Sequence, residues 1–458
     1  MASPSALSPS TAHLLLAEVA SAQRESRLPS LIAGVMRDGA LVWSAGRGRV
    51  DGVEPDTDVQ YRLGSITKTV TAVALLRLRD EGRCDLDDAL ERHVPGTPFG
   101  ERTLGQLLSH TAGLRSESPG TWWERSPGAP WPELAARLTR AEDVPHAAGR
   151  RFHYSNLGFA AVGEVVARLR RQPWAEVVRD EVLLPLGMRR TTPRPQGRAA
   201  TGWAVHPWAD VLQPEPEHDA GAMAPAGQLW STLADLARFA GFLLGDTGDV
   251  LAQSTLEEMR EPAGVDGSAD GWSAYGLGLQ ISREDGATYV GHGGSMPGFR
   301  AGLTLDVAQR TGVVMFANAT TGLDAGLARR MLATVRRREP HVVRAWQPMA
   351  APDEAAMLLV GTWYWGTAGF GLRLRADGAL ELVGLLDGEI SASFRKVPGR
   401  GWRGLDGYHH GEELRPVLVE GQVVALDIGT FIFTRSPYDP AAGVPGGTDP
   451  RGWRAGPP

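Results

Sequence analysis

Ser65 and Lys68 stand three residues apart in "GSITKTVTAVALLRL", and a hydroxyl one helical turn from an amine is a pairing that can carry nucleophilic chemistry. A serine hydroxyl attacks a carbonyl poorly unless a neighbour takes its proton, and lysine takes it only as the neutral amine. Burial and the positive end of a helix dipole both push lysine towards that state. Composition sharpens the point: of 47 Lys and Arg residues only Lys68 and Lys396 are lysines, leaving 45 arginines. Arginine stays protonated at any working pH, so a chain that prefers it has a chemical reason to keep lysine where a neutral amine is required. The same spacing recurs at Ser393 and Lys396 in "SFRK", so spacing alone does not define a site.

Two further clusters could work with the first. "HYSNLGFAAVGEVVARL" sets Tyr154, Ser155 and Asn156 immediately before a helical pattern. "YVGHGGSMPGFRAGLTL" places His292, Gly293 and Gly294 on a strand. Two successive glycines weaken a strand unless another backbone or a ligand must come close.

The elements that would position these residues follow from periodicity. Apolar spacing predicts helices at about 11–27, 65–79, 103–109, 155–170, 174–184, 232–244 and 324–338. "LIAGVMRDGALVWSAG" is two apolar runs joined by Asp38-Gly39, a hairpin signal, and "AYGLGLQIS", "ATYVGHGG", "FRAGLTLDV" and "GVVMFANA" read as late strands. A sheet built from both ends of a segment with helices between is an α/β (α+β) arrangement, here a mixed antiparallel sheet flanked by helices. The expected domains are 1–345 for this unit, a linker at 346–358, a small antiparallel β-barrel at 359–438 and a disordered Pro/Gly-rich tail at 439–458.

Bulk properties exclude several function classes. A net charge of -6 with scattered arginines provides no basic face for nucleic acid. Cys84 is the single cysteine, which leaves no intrachain disulfide and no cysteine-based metal site. The N-terminal segment has no basic n-region, and Glu18 interrupts its apolar run, so no signal peptide is expected. No window reaches the roughly 18–20 apolar residues of a membrane span. A cytoplasmic location is the expectation. Neither G-x-S-x-G nor H-E-x-x-H occurs, against an α/β-hydrolase elbow or a zinc protease.

The order S-x-x-K, Y-x-N and then H-x-G resembles the penicillin-recognising serine hydrolases: class C β-lactamases, D,D-peptidases, D-aminopeptidases and β-lactamase-like esterases. The likeness continues through "TLGQLLSHTAGL", "LLPLGMRRT", "PAGQLWSTLADLARF" and "VVMFANA", covering about residues 12–338. It implies a β-lactamase/transpeptidase-like domain in which Ser65 is acylated, Lys68 is its base and Tyr154 a second proton-transfer group. By the same resemblance, Asn156 contacts a substrate carbonyl and Lys68, while His292, Gly293 and Gly294 line the substrate. The backbone N–H groups of Ser65 and Ser295 form the oxyanion hole. No metal or cofactor is implied, and the partner is a small-molecule or short-peptide substrate. The barrel is similar to lipocalin-like modules appended to some of these hydrolases.

His292 stands where many relatives carry lysine, and histidine is charged only part of the time near neutrality. This moves the expectation towards esters or amides without an essential carboxylate, as in the esterase and D-aminopeptidase branches, with protonation of His292 below about pH 6.5 restoring a charge. The alternatives are β-lactamase or D,D-carboxypeptidase activity and, from another class, a catalytically silent relative that binds a peptide or lactone. Several residues also carry plainer readings. Asn156 would cap a helix, and His110 would bond carbonyls at a helix end. Tyr61 would be core or cleft wall, and Cys84 an inert hydrophobe. The Trp122-Trp123 pair would either rim a cleft or pack a loop.

Overall fold

A computed structural model describes residues 6–267, 272–284, 286–324, 326–341, 345–397 and 401–437. The tail expected at 439–458 lies outside the described residues. The chain divides between His341 and Val342 into two compact units.

The first unit is built on an eight-stranded antiparallel sheet. Its order is Ala40–Gly48, Ser30–Arg37, Thr311–Ala317, Phe299–Asp306, Ala287–Met296, Gln280–Glu284, Ser273–Tyr275 and Gly264–Val265. The first hairpin turns on Asp38 and Gly39, with φ of 49° and 82°, the paired positive values of a tight hairpin turn. Both sheet faces are covered, which is why all seven residues of Thr311–Ala317 are buried. Val313, Met315 and Leu31 pack with the terminal helices Pro9–Glu25 and Leu327–Arg338. Val314, Phe316 and Ile32 join the larger core with Val70 and Leu236 of the helices Ile66–Asp80 and Leu233–Leu243.

The expected single strand "AYGLGLQIS" is two strands, Ser273–Tyr275 and Gln280–Glu284, around a turn. Gly276 N–H donates to Leu279 O at 2.8 Å, and Gly278 adopts φ 79°. The turn leans on the helix Ile66–Asp80: Thr69 Oγ1 donates to Gly278 O at 2.8 Å. Gly278 supplies a left-handed conformation that a continuous strand does not use, and a Cβ on Gly276 would lie 2.1 Å from Met259 O.

The second unit is a closed barrel of eight strands from Gly361–Trp365 to Phe431–Thr434, sealed by Tyr364 opposite Thr434. Trp363, Leu372, Leu382, Phe394, Leu426 and Phe433 are buried in one cluster. Eight strands enclose a bore that side chains of this size fill. The strand Gly401–Gly404 was not expected from the sequence, and the expected linker contains a short helix, Glu354–Met357, capped by Asp353. Among the described residues, no helix is long and apolar enough to cross a membrane.

Candidate active site

Ser65 sits at the start of the helix Ile66–Asp80, and its side chain makes no capping hydrogen bond. That leaves the hydroxyl free for other partners. Lys68, one turn along, is fully buried, with Nζ 3.0 Å from Ser65 Oγ. Nζ also donates to Ala226 O at 2.7 Å. Burial is the main reason the amine's pKa falls to about 7, against a smaller opposing pull from Glu117 and Glu124. Near neutrality the amine therefore spends a large part of its time unprotonated.

Tyr154 completes the cluster. Its ring centre lies 4.9 Å from Lys68 Nζ, and its hydroxyl meets that of Ser65. Burial raises the phenol above its usual range, with the Ser65 hydrogen bond opposing, so Tyr154 holds its proton at neutral pH. Its position comes from the turn before the helix Asn156–Arg170. Ser155 caps that helix by accepting from Gly158 N–H at 3.0 Å, so Asn156 is not the cap. His110, in the left-handed region at φ 57°, accepts the Ser155 N–H at Nδ1 (3.0 Å), and its ring lies 4.2 Å from that of Tyr154. His110 thus bonds an amide, and not the carbonyls expected of it.

Asn156 donates from Nδ2 to Glu117 Oε1 at 2.8 Å, and its buried Oδ1 has no hydrogen-bond partner among the described residues. No hydrogen bond joins it to Lys68, in contrast to the contact that the resemblance implied. Glu117 also accepts from Trp123 Nε1 at 2.6 Å. Trp123 is buried and Trp122 exposed; the pair splits between packing and surface. Glu117 was missed in the sequence, where "SESPG" is an ordinary polar loop.

Two successive glycines on Ala287–Met296 have different reasons. A Cβ on Gly294 would lie 1.9 Å from Leu63 O, so a backbone occupies that side. A Cβ on Gly293 would meet nothing within 4 Å. Gly64, at φ 54°, approaches the same strand so closely that a Cβ would lie 2.4 Å from Ser295 N. That approach sets the residue before Ser65 against the Ser295 amide.

His292 faces the other way from Gly293, into the core. Its Nδ1 lies 2.6 Å from Gly293 O, and a carbonyl only accepts, so the proton sits on Nδ1. Nε2 then accepts from Tyr275 Oη at 2.8 Å. Burial, helped by nearby Lys68, drops the imidazole pKa to about 3. The expected charging of His292 near pH 6.5 is therefore overturned: the ring is neutral across the physiological range. In the sequence alone its partner Tyr275 is only part of a strand pattern.

Ser65, Tyr154, His292, Gly293, Gly294 and Ser295 all border one cleft of about 450 Å3. Lys68 and Asn156 lie behind its wall. The other residues weighed above fall elsewhere: Tyr61 is core, hydrogen bonded to Ser30 and stacked on Phe316. Cys84 is half-buried with its thiol pKa pushed up to about 11. Among the described residues, no group of three or more His, Cys, Asp or Glu side chains is placed to hold a metal ion.

Residues 16–336 match the Beta-lactamase family, and residues 352–435 match a domain of unknown function, DUF7586. Putative beta-lactamase-like 1 of Homo sapiens is 27% identical over 77% of this chain and 73% of its own length. Beta-lactamase-like protein 2 of Dictyostelium discoideum is 26% identical over 62% of this chain. The match spans 54% of the Dictyostelium protein's length. Among solved structures, a D-stereospecific amidohydrolase from Streptomyces sp. is similar with a TM-score of 0.60 and 26% identity, over 72% of this chain and 99% of that one. The octameric penicillin-binding protein homologue from Pyrococcus abyssi shares the fold at a TM-score of 0.64 and 22% identity, over 92% of this chain and 99% of that one. The chain belongs to the Beta-lactamase family, whose members are serine hydrolases.

Proposed function

We propose that this chain cleaves esters or amides, D-amino-acid amides and short peptides among them, through an acyl-enzyme on Ser65. The observation that carries this reading is the buried Lys68 amine, 3.0 Å from Ser65 Oγ with a pKa near 7. As Oγ bonds to the substrate carbonyl carbon, Lys68 takes the hydroxyl proton and the carbonyl electrons move onto oxygen. The amides of Ser65 and Ser295 face that oxygen. The tetrahedral centre collapses, and the leaving group takes a proton relayed through Tyr154, which burial keeps protonated. Water then attacks the acyl carbonyl, Lys68 again accepting a proton, and Ser65 is restored. Glu117 orients Asn156, Tyr275 braces His292, and Gly293 leaves a strand surface that a substrate can approach. The similarity to the Streptomyces amidohydrolase supports the D-amino-acid branch.

The test is labelling with a fluorophosphonate probe, beside turnover of p-nitrophenyl esters, D-amino-acid p-nitroanilides and nitrocefin. Stoichiometric labelling at Ser65 and its loss in Ser65→Ala are expected. The variant should keep its fold, since the hydroxyl makes no cap bond. Labelling at another serine, or none with any probe or substrate, would sink the reading in favour of a silent binding protein.

A further inference from the structure

The short ladder that leads into Ser65 carries a buried cation outside the cleft. Gln60–Arg62 pairs with Trp230–Thr232, Arg62 opposite Trp230, so the two side chains project to the same face. One residue further on, Leu63 N–H donates to Leu229 O at 2.7 Å, and Gly64 and Ser65 follow. Arg62 is 1% exposed and Trp230 2%, with the guanidinium carbon 5.9 Å from the indole centre. Among the described residues, Nε, Nη1 and Nη2 of Arg62 and Nε1 of Trp230 are all buried without a hydrogen-bond acceptor. Other guanidiniums withdrawn from solvent engage one: Arg170 pairs with Glu81 and Glu181, and Arg260 donates to Leu243 O. Neither Arg62 nor Trp230 lines the cleft beside Ser65.

Every polar atom left over on this face is a donor. Burial lowers the Arg62 pKa only to about 10, so the guanidinium stays charged at neutral pH. Glu217 and Glu124 act on it from a distance and neither bonds it; Glu124 accepts instead from Trp122 Nε1 at 3.0 Å. A buried charge without a partner is strongly destabilising. Water would not neutralise it, and would bring hydrogens that themselves need acceptors. An anion supplies the opposite charge and accepts from several N–H groups at once. The donors are out of contact with solvent, which restricts the occupant to a few atoms at most. The Phe299 ring, edge-on to Trp230 at 5.0 Å, adds an apolar wall. We propose that Arg62 and Trp230 bind a small monovalent inorganic anion of the halide class, which braces the ladder ahead of the Ser65 turn.

Thermal unfolding of wild type, Arg62→Met and Trp230→Phe tests this at constant ionic strength, with potassium chloride or bromide replacing potassium gluconate. Gluconate is too large for an enclosed site. Ligand linkage predicts a saturating rise of about 2–4 °C in the wild-type unfolding temperature. Trp230→Phe keeps the ring and the cation but loses one donor, so the halide concentration at half-effect should rise several-fold. Arg62→Met should lose the saturable response altogether. General salt effects on the protein surface act on all three chains alike and do not saturate. If Arg62→Met fails to fold, Trp230→Phe carries the comparison, and a halide response identical in that variant and wild type overturns the proposal. Diffraction from wild-type crystals grown in bromide gives the direct reading. An anomalous peak within hydrogen-bond reach of the Arg62 guanidinium and Trp230 Nε1 is the expected result. Water alone at that place, or the Glu124 or Glu217 carboxylate turned onto Arg62, would overturn it.

Discussion

The chain contains the pattern S-x-x-K twice, and the two copies have different fates. Ser65 and Lys68 lie at the start of a helix, where residues three apart share a face, and their polar atoms meet at 3.0 Å. Ser393 and Lys396 lie on the strand Ile390–Val397, where residues three apart project to opposite faces. They cannot meet. Lys68 is fully buried, whereas half the Lys396 side chain is exposed; it pairs with Asp353 and packs over Trp402. The same four-residue pattern brings a hydroxyl against a buried amine or holds the two apart according to the period of its backbone and the solvent around its amine.

The largest expected difference between the copies is in turnover. Lys68→Arg keeps charge and approximate length but cannot provide a neutral base, so kcat/KM should fall by roughly 10²-fold or more. Lys396→Arg keeps its surface ion pair and should match wild type. Steady-state rates on one ester, with circular dichroism to confirm folding, make the comparison. Equal rates in Lys68→Arg and wild type would mean that Lys68 acts only as a fixed cation.

Much of the candidate site was legible because its parts are local. Ser65 with Lys68, Tyr154 before its helix and the paired glycines each announce themselves within a few residues. What escaped depends on contacts between distant segments. Glu117 reaches Asn156 across 39 positions and Tyr275 reaches His292 across 17; no local pattern encodes either. The charge of His292 was misjudged because a histidine's pKa depends on burial. One signal was available: strand alternation puts His292 on the same face as Val290, hence towards the core. The fold was legible where turns were decisive, as at Asp38-Gly39. It differs at Gly276–Leu279, where the apolar run hides a turn that packs against the helix Ile66–Asp80.

A smaller effect should appear in pH dependence. Lys68 must be neutral to accept the Ser65 proton, and its pKa is about 7. On a neutral ester, kcat/KM should therefore rise as pH climbs through about 7, by up to tenfold per unit on the acid side, and then level off. His292, with a pKa of about 3, should add no step between pH 5 and 8. A second inflection near 6.5 that disappears in His292→Gln would show that the ring is accessible and titrates there.

The smallest effect is in stability, where the two lysines should respond with opposite sign. Lys68 binds a proton up to about pH 10.4 in the unfolded chain but only up to about 7 when folded. Between those values the unfolded chain holds more protons, so wild-type stability rises with pH, and the penalty of burying the amine is greatest below pH 7. Lys68→Met removes that penalty in a side chain of similar length. It also leaves Ala226 O without its donor, a loss of about 1 kcal/mol. The net expectation is a gain of about 1–2 kcal/mol at pH 6, shrinking towards pH 9, of the size found when a site residue is traded for stability. Lys396→Met loses a partly exposed ion pair with Asp353, and should cost about 0–1 kcal/mol, less at high salt. Thermal unfolding of both variants at pH 6 and 9 reads the two signs. Destabilisation of Lys68→Met at both pH values would mean that the amine's contacts outweigh its desolvation, and that its pKa is not depressed as far as its burial implies.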